Sequence, residues 1–307
     1  MAIIKNNHSG QSLVLRSHHL IGRHPATSHT LLSDSTVSRS HCLIEWHNNT
    51  WFIQDISANG TFINGKRIAK NIKHPLKLND SLCFGDLNNP VWQFTCSQKP
   101  SAFLKSVQSV KDDIPIPNKT SLIDNGHDEL IVSQTLSGQW LLEREGHIEA
   151  IEPGQQIHVN NQDYILVADQ CLDETQQCET LSDIAIDVEF KVSQNEEHVG
   201  IKLFVGGNVI DLGDRTHHYL VLLLARKYLD DKQMNVHESE LGWLDKSLLM
   251  SETRMEETHM NTQFYRFRKQ LITSLNKLNI TADLIERRRG EIRMHCNSIQ
   301  IIDAKVA

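Results

Sequence analysis

The stretch DISANGTFINGKRI, residues 55–68, decides how the first third of this 307-residue chain folds. Asn59 with Gly60 and Asn64 with Gly65 predict two tight turns around a short apolar segment, because Asn and Gly are typical turn residues. Two further blocks precede it, IGR at residues 21–23 and VSRSH at residues 37–41. Short strand-like segments separated by polar turns surround all three blocks, as expected for a β-sandwich or barrel. These segments are residues 12–16, 41–46, 51–56, 61–63, 81–84 and 91–95.

The three blocks resemble the signature of forkhead-associated (FHA) domains, in which a Gly-Arg, a Ser-x-x-His and an Asn-Gly before a strand follow one another. The resemblance covers residues 1–97, about a third of the chain, and implies an all-β sandwich that binds phosphothreonine peptides. A phosphate dianion requires fixed cations and hydrogen-bond donors. Arg23 supplies a planar guanidinium, Ser38 a hydroxyl and Arg39 a second cation.

The resemblance also assigns roles around the bound peptide. Asn59 is expected to bond the peptide backbone, Gly60 to keep that turn compact, and Asn64 to lie near the peptide. Gly22 and His41 match positions that shape the fold in this family. The alternative is an FHA-like sandwich that has lost phosphate binding and only scaffolds partners. Such domains usually lack the Arg or the Ser, whereas this chain keeps both.

Charge divides the chain into three parts. Residues 1–99 carry a net charge of +5, residues 100–200 of −14 and residues 201–307 of +2, which gives −7 for the whole chain. Two neutral-to-basic ends therefore flank an acidic middle. This asymmetry suggests separate modules with different partners.

The acidic middle is predicted to contain two linkers around one small β-unit. Residues 98–127 mix Ser, Lys, Asp, Pro and Asn, as linkers do. Residues 128–169 return to strand-like segments with turns between them, and residues 170–183 form a second, acidic linker. Thr180 in that linker is a candidate phosphosite, because FHA domains often select an acidic residue three positions after the phosphothreonine and Asp183 stands there. In its phosphorylated form the linker would dock on an FHA site of the same or a neighbouring chain. The alternative is that these acidic residues only keep the linker solvated and extended.

Residues 184–307 are predicted to be an α+β domain. A small antiparallel sheet is followed by helices at residues 214–229, with Asp214 as N-cap, near residues 244–250 and at residues 256–275. A hairpin ends the chain. This is the order of a winged helix preceded by a small sheet. The third helix has an apolar stripe of Met260, Phe264, Phe267, Leu271 and Leu275.

FYRFRKQL at residues 264–271 and ERRRGEIRM at residues 286–294 resemble the recognition helix and wing of OmpR-type response regulators. The region also resembles bacterial proteins that pair an N-terminal FHA domain with this module. The side-chain types suit duplex DNA binding. The predicted DNA contacts are Asn261, Thr262, Tyr265, Arg266, Arg268 and Lys269 on the helix and Arg287, Arg288 and Arg289 on the hairpin. Residues 254–293 carry nine basic and five acidic residues, which is only a modest excess of positive charge. The alternative hypothesis is therefore a charged face that docks a protein instead of DNA.

Other function classes find little support in the sequence. It contains no Walker loop, G-x-S-x-G, H-E-x-x-H or kinase motif set, so we expect neither an enzyme nor a cofactor. Its histidine pairs are adjacent rather than four residues apart, and its six cysteines form no C-x-x-C pair, which predicts free thiols and no metal site. It shows no membrane-length apolar run and no signal peptide, so we expect a cytoplasmic location.

Two hypotheses from different classes follow. The first is a transcription regulator that couples phosphothreonine recognition to DNA binding. The second is a signalling adaptor whose winged helix docks a protein. In both, one partner is a protein that carries phosphothreonine; duplex DNA is a partner only in the first. The sequence leaves the oligomeric state open.

Overall fold

The computed structural model describes residues 1–108, 112–124, 129–159, 162–168 and 185–303. These residues form two compact units. Unit 1 consists of the described residues of 1–117 and 153–168, and unit 2 of those of 118–152 and 185–303. Thr180, the candidate phosphosite, lies outside the described residues.

Unit 1 contains a sandwich of two β-sheets. Its strands are β1 (Ala2–Asn6), β2 (Ser12–Leu15), β3 (His18–Gly22), β4 (Thr30–Leu31), β5 (Cys42–His47), β6 (Thr50–Asp55), β7 (Thr61–Ile63), β8 (Lys66–Arg67), β9 (Lys73–Pro75), β10 (Ser81–Phe84) and β11 (Trp92–Ser97). One sheet has the order β2-β1-β11-β10-β7-β8 and the other β4-β3-β5-β6-β9. Alternate side chains of β1 and β6 are buried, as in strands with one face on a core. The predicted β-sandwich is confirmed.

The structure differs from the predicted linker at residues 98–127. This segment contains β12 (Phe103–Ser106), β13 (Ile114–Pro115) and β14 (Thr120–Asp124). Phe103 and Leu104 are fully buried, and Phe103 pairs with Val167. Composition over a short window indicated a linker because the partner of β12 lies far along the chain, where no local pattern can show it.

The predicted small β-unit at residues 128–169 is divided between two sheets. Its strands are β15 (Glu129–Gln134), β16 (Trp140–Arg144), β17 (His147–Ile151), β18 (Gln156–Val159) and β19 (Gln162–Val167). The last two join the preceding segment in the order β13-β12-β19-β18, within unit 1. The first three form the sheet β14-β15-β16-β17, within unit 2.

The remainder of unit 2 follows the predicted order of sheet, helices and hairpin. Its elements are β20 (Ile186–Val192), β21 (Val199–Val205), β22 (Asn208–Asp214), α1 (His218–Gln233), β23 (Leu244–Asp245), α2 (Lys246–Thr253), α3 (Glu257–Asn276), β24 (Ile285–Arg288), β25 (Glu291–Met294) and β26 (Ser298–Asp303). The sheets have the orders β22-β21-β20-β26 and β23-β25-β24. All five residues of the predicted apolar stripe on α3 are buried in the core of unit 2. No helix in the described ranges is long and apolar enough to span a membrane.

The helix starts show where the predictions were right and wrong. Asp245 caps α2 by accepting hydrogen bonds from the backbone N–H groups of Ser247 and Leu248. Asp214 does not cap α1, which begins four residues later. Its carboxylate accepts a 3.1 Å hydrogen bond from the Val199 N–H instead. Asp214 therefore ends β22 and is held by the neighbouring strand.

Candidate functional site

Two loops of the sandwich are joined by backbone hydrogen bonds beside β3. The Arg23 N–H donates to the Ser38 carbonyl at 2.9 Å, and the His24 N–H to the Arg39 carbonyl at 3.2 Å. A Cβ atom on Gly22 would lie 2.2 Å from the Arg39 carbonyl oxygen. Glycine at this position is what allows the two loops to approach. The two predicted cations, Arg23 and Arg39, are thereby placed on adjacent loops.

The buried side chain of His41 connects these two loops to a third loop, which contains Gly60. Its Nδ1 accepts a 3.0 Å hydrogen bond from the Ser38 N–H, so the ring proton sits on Nε2, which donates to the Gly60 carbonyl at 3.1 Å. The ring is fully buried, and this burial lowers the pKa of His41, which keeps it neutral. His41 thus supports the site without reaching its surface.

The third loop follows β6 and is shaped by Asp55. One oxygen of this buried carboxylate accepts hydrogen bonds from the N–H and hydroxyl of Ser57 and from the hydroxyl of Thr61. The loop between them presents the Ala58 N–H, which donates to the Ser38 hydroxyl oxygen at 3.0 Å. Because that oxygen accepts a bond here, the hydroxyl proton of Ser38 is left for a ligand.

Asn59 lies at the exposed tip of the third loop. Its amide nitrogen donates to the Thr36 carbonyl at 2.7 Å, and its amide oxygen has no partner in the described part of the chain. The oxygen can accept a hydrogen bond from a peptide N–H. Gly60 follows with a φ of +106°, a conformation that favours glycine.

Arg67 is a candidate residue that the sequence analysis missed. Its guanidinium packs against Gly60, where a Cβ would lie 2.3 Å from the Arg67 Nε, and it donates to the Ala58 carbonyl at 3.4 Å. The turn at Asn64 and Gly65 brings Arg67 opposite Phe62 on β7. The tight turn in the sequence could have predicted this position, because a short hairpin brings the basic residue Arg67 back beside the loop of Asn59.

Asn64 has partners for both ends of its side chain. Its amide nitrogen donates to the Asp80 carboxylate at 2.8 Å, and its amide oxygen accepts from the Ser81 N–H at 2.9 Å. The side chain therefore joins the β7–β8 turn to the start of β10. That Asn64 lies near a bound peptide stays a prediction.

Charge at the three loops is available to an anion. Arg23, Arg39 and Arg67 are exposed, and within the described ranges none of them pairs with a carboxylate. Two of them donate to carbonyl groups: the Arg23 Nε to Val37 at 3.1 Å and the Arg67 guanidinium to Ala58 at 3.4 Å. Three uncompensated guanidinium groups around the free hydroxyl proton of Ser38 suit a doubly charged phosphate.

The predicted DNA contacts on α3 are placed very differently. Arg268 is 3% exposed and is paired with Glu143 of β16 and, at 2.5 Å, with Asp283. Lys269 is paired with Glu129, and the buried Tyr265 hydroxyl donates to the Glu129 carbonyl at 3.2 Å. The sheet β14–β17 therefore lies on the face that was predicted to contact DNA.

The remaining predicted DNA contacts divide into covered and open residues. Asn261 and Arg287 are buried together, and Thr262 is part-buried against Glu145. Arg288 is paired with Glu240 at 2.8 Å and Glu291 at 2.5 Å. Of the predicted DNA contacts, only Arg266 and Arg289 are exposed and without a partner in the described ranges. Helical periodicity locates the polar face of α3 but cannot show what covers it, so this part of the site prediction is corrected.

The described residues hold no group of three or more His, Cys, Asp or Glu side chains that could bind a metal. The cysteines within them, Cys42, Cys83, Cys96 and Cys296, are free thiols.

Comparison with known proteins concerns the N-terminal sandwich. The FHA domain family model matches residues 19–85. Over 54 residues the chain is 44% identical to the probable E3 ubiquitin-protein ligase dma1 of Schizosaccharomyces pombe, which covers 16% of this chain and 20% of that protein. Over 66 residues it is 35% identical to Germ layers disorganized gldi-3 of Caenorhabditis elegans, which covers 20% of this chain and 7% of that protein. The chain thus spans at most a fifth of these curated relatives.

Among solved structures, the sandwich is similar to the MEK1 FHA domain in complex with a phosphothreonine peptide of HOP1. The identity is 20% over 31% of this chain and 94% of that chain, with a TM-score of 0.26.

Proposed function

We propose that this chain, whose residues 19–85 form an FHA domain, is a signalling protein that binds partners carrying phosphothreonine. The observation that carries the proposal is the pair of exposed, unpaired cations, Arg23 and Arg39, on loops joined beside Ser38. A phosphothreonine carries about −1.5 to −2 charges and three strong acceptor oxygens. The chain acts here by binding, not by catalysis.

The site offers each part of a phosphopeptide a different group. The Arg23 and Arg39 guanidinium groups face the phosphate charge, and the Ser38 hydroxyl, already an acceptor for Ala58, donates to a phosphate oxygen. The free amide oxygen of Asn59 accepts from a peptide N–H. An unphosphorylated threonine leaves the cations without a counter-charge, and this difference provides the discrimination.

Calorimetry of the full chain tests the proposal. Each member of a phosphothreonine peptide library is titrated beside its unphosphorylated twin. We expect saturable binding only for phosphorylated members, with heats that vary with the flanking sequence. Equal affinities for the two forms of every peptide would contradict the proposal.

A second candidate function is regulation of transcription through DNA binding by unit 2. Two observations favour it: the order of sheet, three helices and β24–β25 hairpin, and the exposed, unpaired Arg266 on α3 and Arg289 at the hairpin turn. Two free cations predict weak binding of duplex DNA by the described conformation. Gel shifts over a series of salt concentrations test this, because phosphate contacts make binding fall steeply with salt. No retention of DNA even at low salt would favour the adaptor hypothesis.

A further inference from the structure

The polar face of α3 is covered by an acidic sheet, the four strands β14–β17. Leu122 and Ile131 of the sheet pack against Tyr265 and Ile272 of α3. Hydrogen bonds and ion pairs also join the sheet to this face. A contact that combines apolar packing with ion pairs is more polar than a pure core, as interfaces between domains are.

The turn between β16 and β17 lies directly against α3. Gly146 has a φ of +92°, and a Cβ atom on it would lie 2.5 Å from the Thr262 hydroxyl and 2.6 Å from its backbone nitrogen. The Thr262 hydroxyl lies 3.1 Å from the Glu145 carbonyl. Any side chain at Gly146 must therefore separate the turn from α3.

The acidic sheet stands where an external anion would have to bind. Residues 118–152 contain two basic and seven acidic residues, a net charge of −5. Glu143 and Glu129 from this segment neutralise Arg268 and Lys269 of α3. Carboxylates of the chain itself thus occupy the positive face of the helix. The complementary external ligand is a polyanion.

The contact between the acidic sheet and α3 leaves buried polar atoms without hydrogen-bond partners. A Glu143 carboxylate oxygen and the Arg287 Nη2 are buried without a hydrogen-bond partner, 3.6 Å apart. Burial lowers the pKa of Arg287, so the nearby carboxylates do not fully offset its loss of hydration. Buried ion pairs with incomplete hydrogen bonding add little net stability. The acidic sheet is therefore held by contacts that a strong competitor can replace.

We propose that the polar face of α3, together with the β24–β25 hairpin, is a surface for duplex nucleic acid that the acidic sheet covers until it is displaced. The inference rests on the second candidate function and is independent of phosphothreonine binding. Displacement adds the charges of Lys269 and Arg287 to those of Arg266 and Arg289, whereas Arg268 stays paired with Asp283, which lies outside the acidic sheet. Cations on one helix face and an adjacent hairpin fit a groove and its flanking phosphates.

The test compares Gly146→Val with Gly138→Val in the full chain. Gly138, in the turn between β15 and β16, also has a positive φ, but a Cβ there meets no atom closer than 4.0 Å. Both variants strain a turn, and only Gly146→Val pushes the sheet from α3. We expect faster hydrogen exchange across residues 257–276 and about tenfold tighter, salt-dependent binding of a fluorescent DNA duplex for Gly146→Val alone.

Three results would overturn the proposal: faster exchange without tighter duplex binding, equal duplex binding by the unaltered chain, or binding of polyglutamate in place of DNA. Phosphopeptide affinity is measured in every sample and should not change, which separates this proposal from the first function. If Gly146→Val fails to fold, Glu129→Gln provides the second variant. It breaks a part-exposed ion pair with Lys269 without adding a cation and should raise duplex affinity by a smaller factor.

Discussion

Two regions of the molecule carry basic side chains: the loops of Arg23, Arg39 and Asn59, called here the FHA loops, and the polar face of α3 with the adjoining hairpin. The basic side chains are exposed in the first region, and most of them are paired with acidic residues in the second. Arg23 and Arg39 are exposed and, among the described residues, have no acidic partner. Arg268, Lys269 and Arg287 are each paired with carboxylates of the acidic sheet. A cation that is already paired within the fold must lose that partner before it can bind an external anion. Basic residues therefore define an anion site only where the tertiary structure leaves them unpaired.

The two regions also differ in how far their contacts reach along the chain. The Ser38 to His41 bond that shapes the loop of Ser38 and Arg39 spans three positions, whereas the Arg268 to Glu143 pair spans 125. Short-range contacts leave a recognisable motif, and long-range pairs do not. The following predictions test the comparison from its largest expected effect to its smallest.

Removing the acid that neutralises α3 should have the largest effect. Glu143→Ala leaves Arg268 and Arg287 buried without their shared carboxylate, and we expect unit 2 to lose about 3–5 kcal/mol of stability. Hydrogen exchange of α3 under native conditions measures it. Glu149→Ala, at an exposed site on β17, is the matched control and should change stability by less than about 0.5 kcal/mol. Similar losses in both would show that the pairs contribute nothing.

Removing a cation of the FHA loops should reduce binding without reducing stability. Arg23→Ala loses charge-assisted bonds worth about 1.5–3 kcal/mol, which is roughly a ten- to hundredfold loss of phosphopeptide affinity. Calorimetry measures the affinity and thermal unfolding the stability. Lys5→Ala, an exposed site on β1, is the control and should retain full affinity. A destabilised Arg23→Ala protein would mean that this cation is structural, like those of α3.

Acid should weaken the FHA loops through His41. Burial lowers its pKa in the folded state, so the unfolded chain binds the proton more readily. The stabilisation is complete above about pH 6.5 and declines as the pH falls below it, by at most about 1.4 kcal/mol per pH unit.

Unfolding of unit 1, followed between pH 7.5 and pH 5.5 (roughly one pH unit either side of the usual His pKa), measures this slope. We expect His41→Gln to flatten it and His8→Gln, an exposed site, to leave it unchanged. His19, whose pKa burial also lowers, and Asp113, whose pKa burial raises to about 6, contribute to all three proteins. Only the difference between them reports on His41, and no difference would contradict the role of its neutral ring.

The smallest effect is expected at Arg67. Its exposed guanidinium lies beside the Asn59 loop, so it should favour peptides with an acidic residue near the phosphothreonine. Arg67→Ala should weaken binding of such peptides by about 1.4- to fivefold, the range of exposed ion pairs near 0.2–1 kcal/mol. Peptides with neutral flanks and the neighbouring Lys66→Ala variant are the controls. An equal loss for acidic and neutral flanks would remove Arg67 from peptide selection.

The sequence by itself determined those features whose causes lie close together in the chain. The loops could be predicted from three local features. The close approach of two loops requires a glycine at position 22, Arg23 supplies a cation, and the hydrogen bond from Ser38 to His41 joins residues only three positions apart. The apolar stripe of α3 is likewise a local period and predicted its buried face correctly.

Tertiary structure decided what depends on distant partners. Asn64 is held by Asp80 and Ser81, so both ends of its side chain are used within the fold. The segment at residues 98–127 becomes strands because β12 pairs with β19. The polar face of α3 is covered because strands more than a hundred positions away supply the matching carboxylates and Gly146 admits the close contact. Periodicity shows which side chains share a face, and only packing determines whether that face meets solvent.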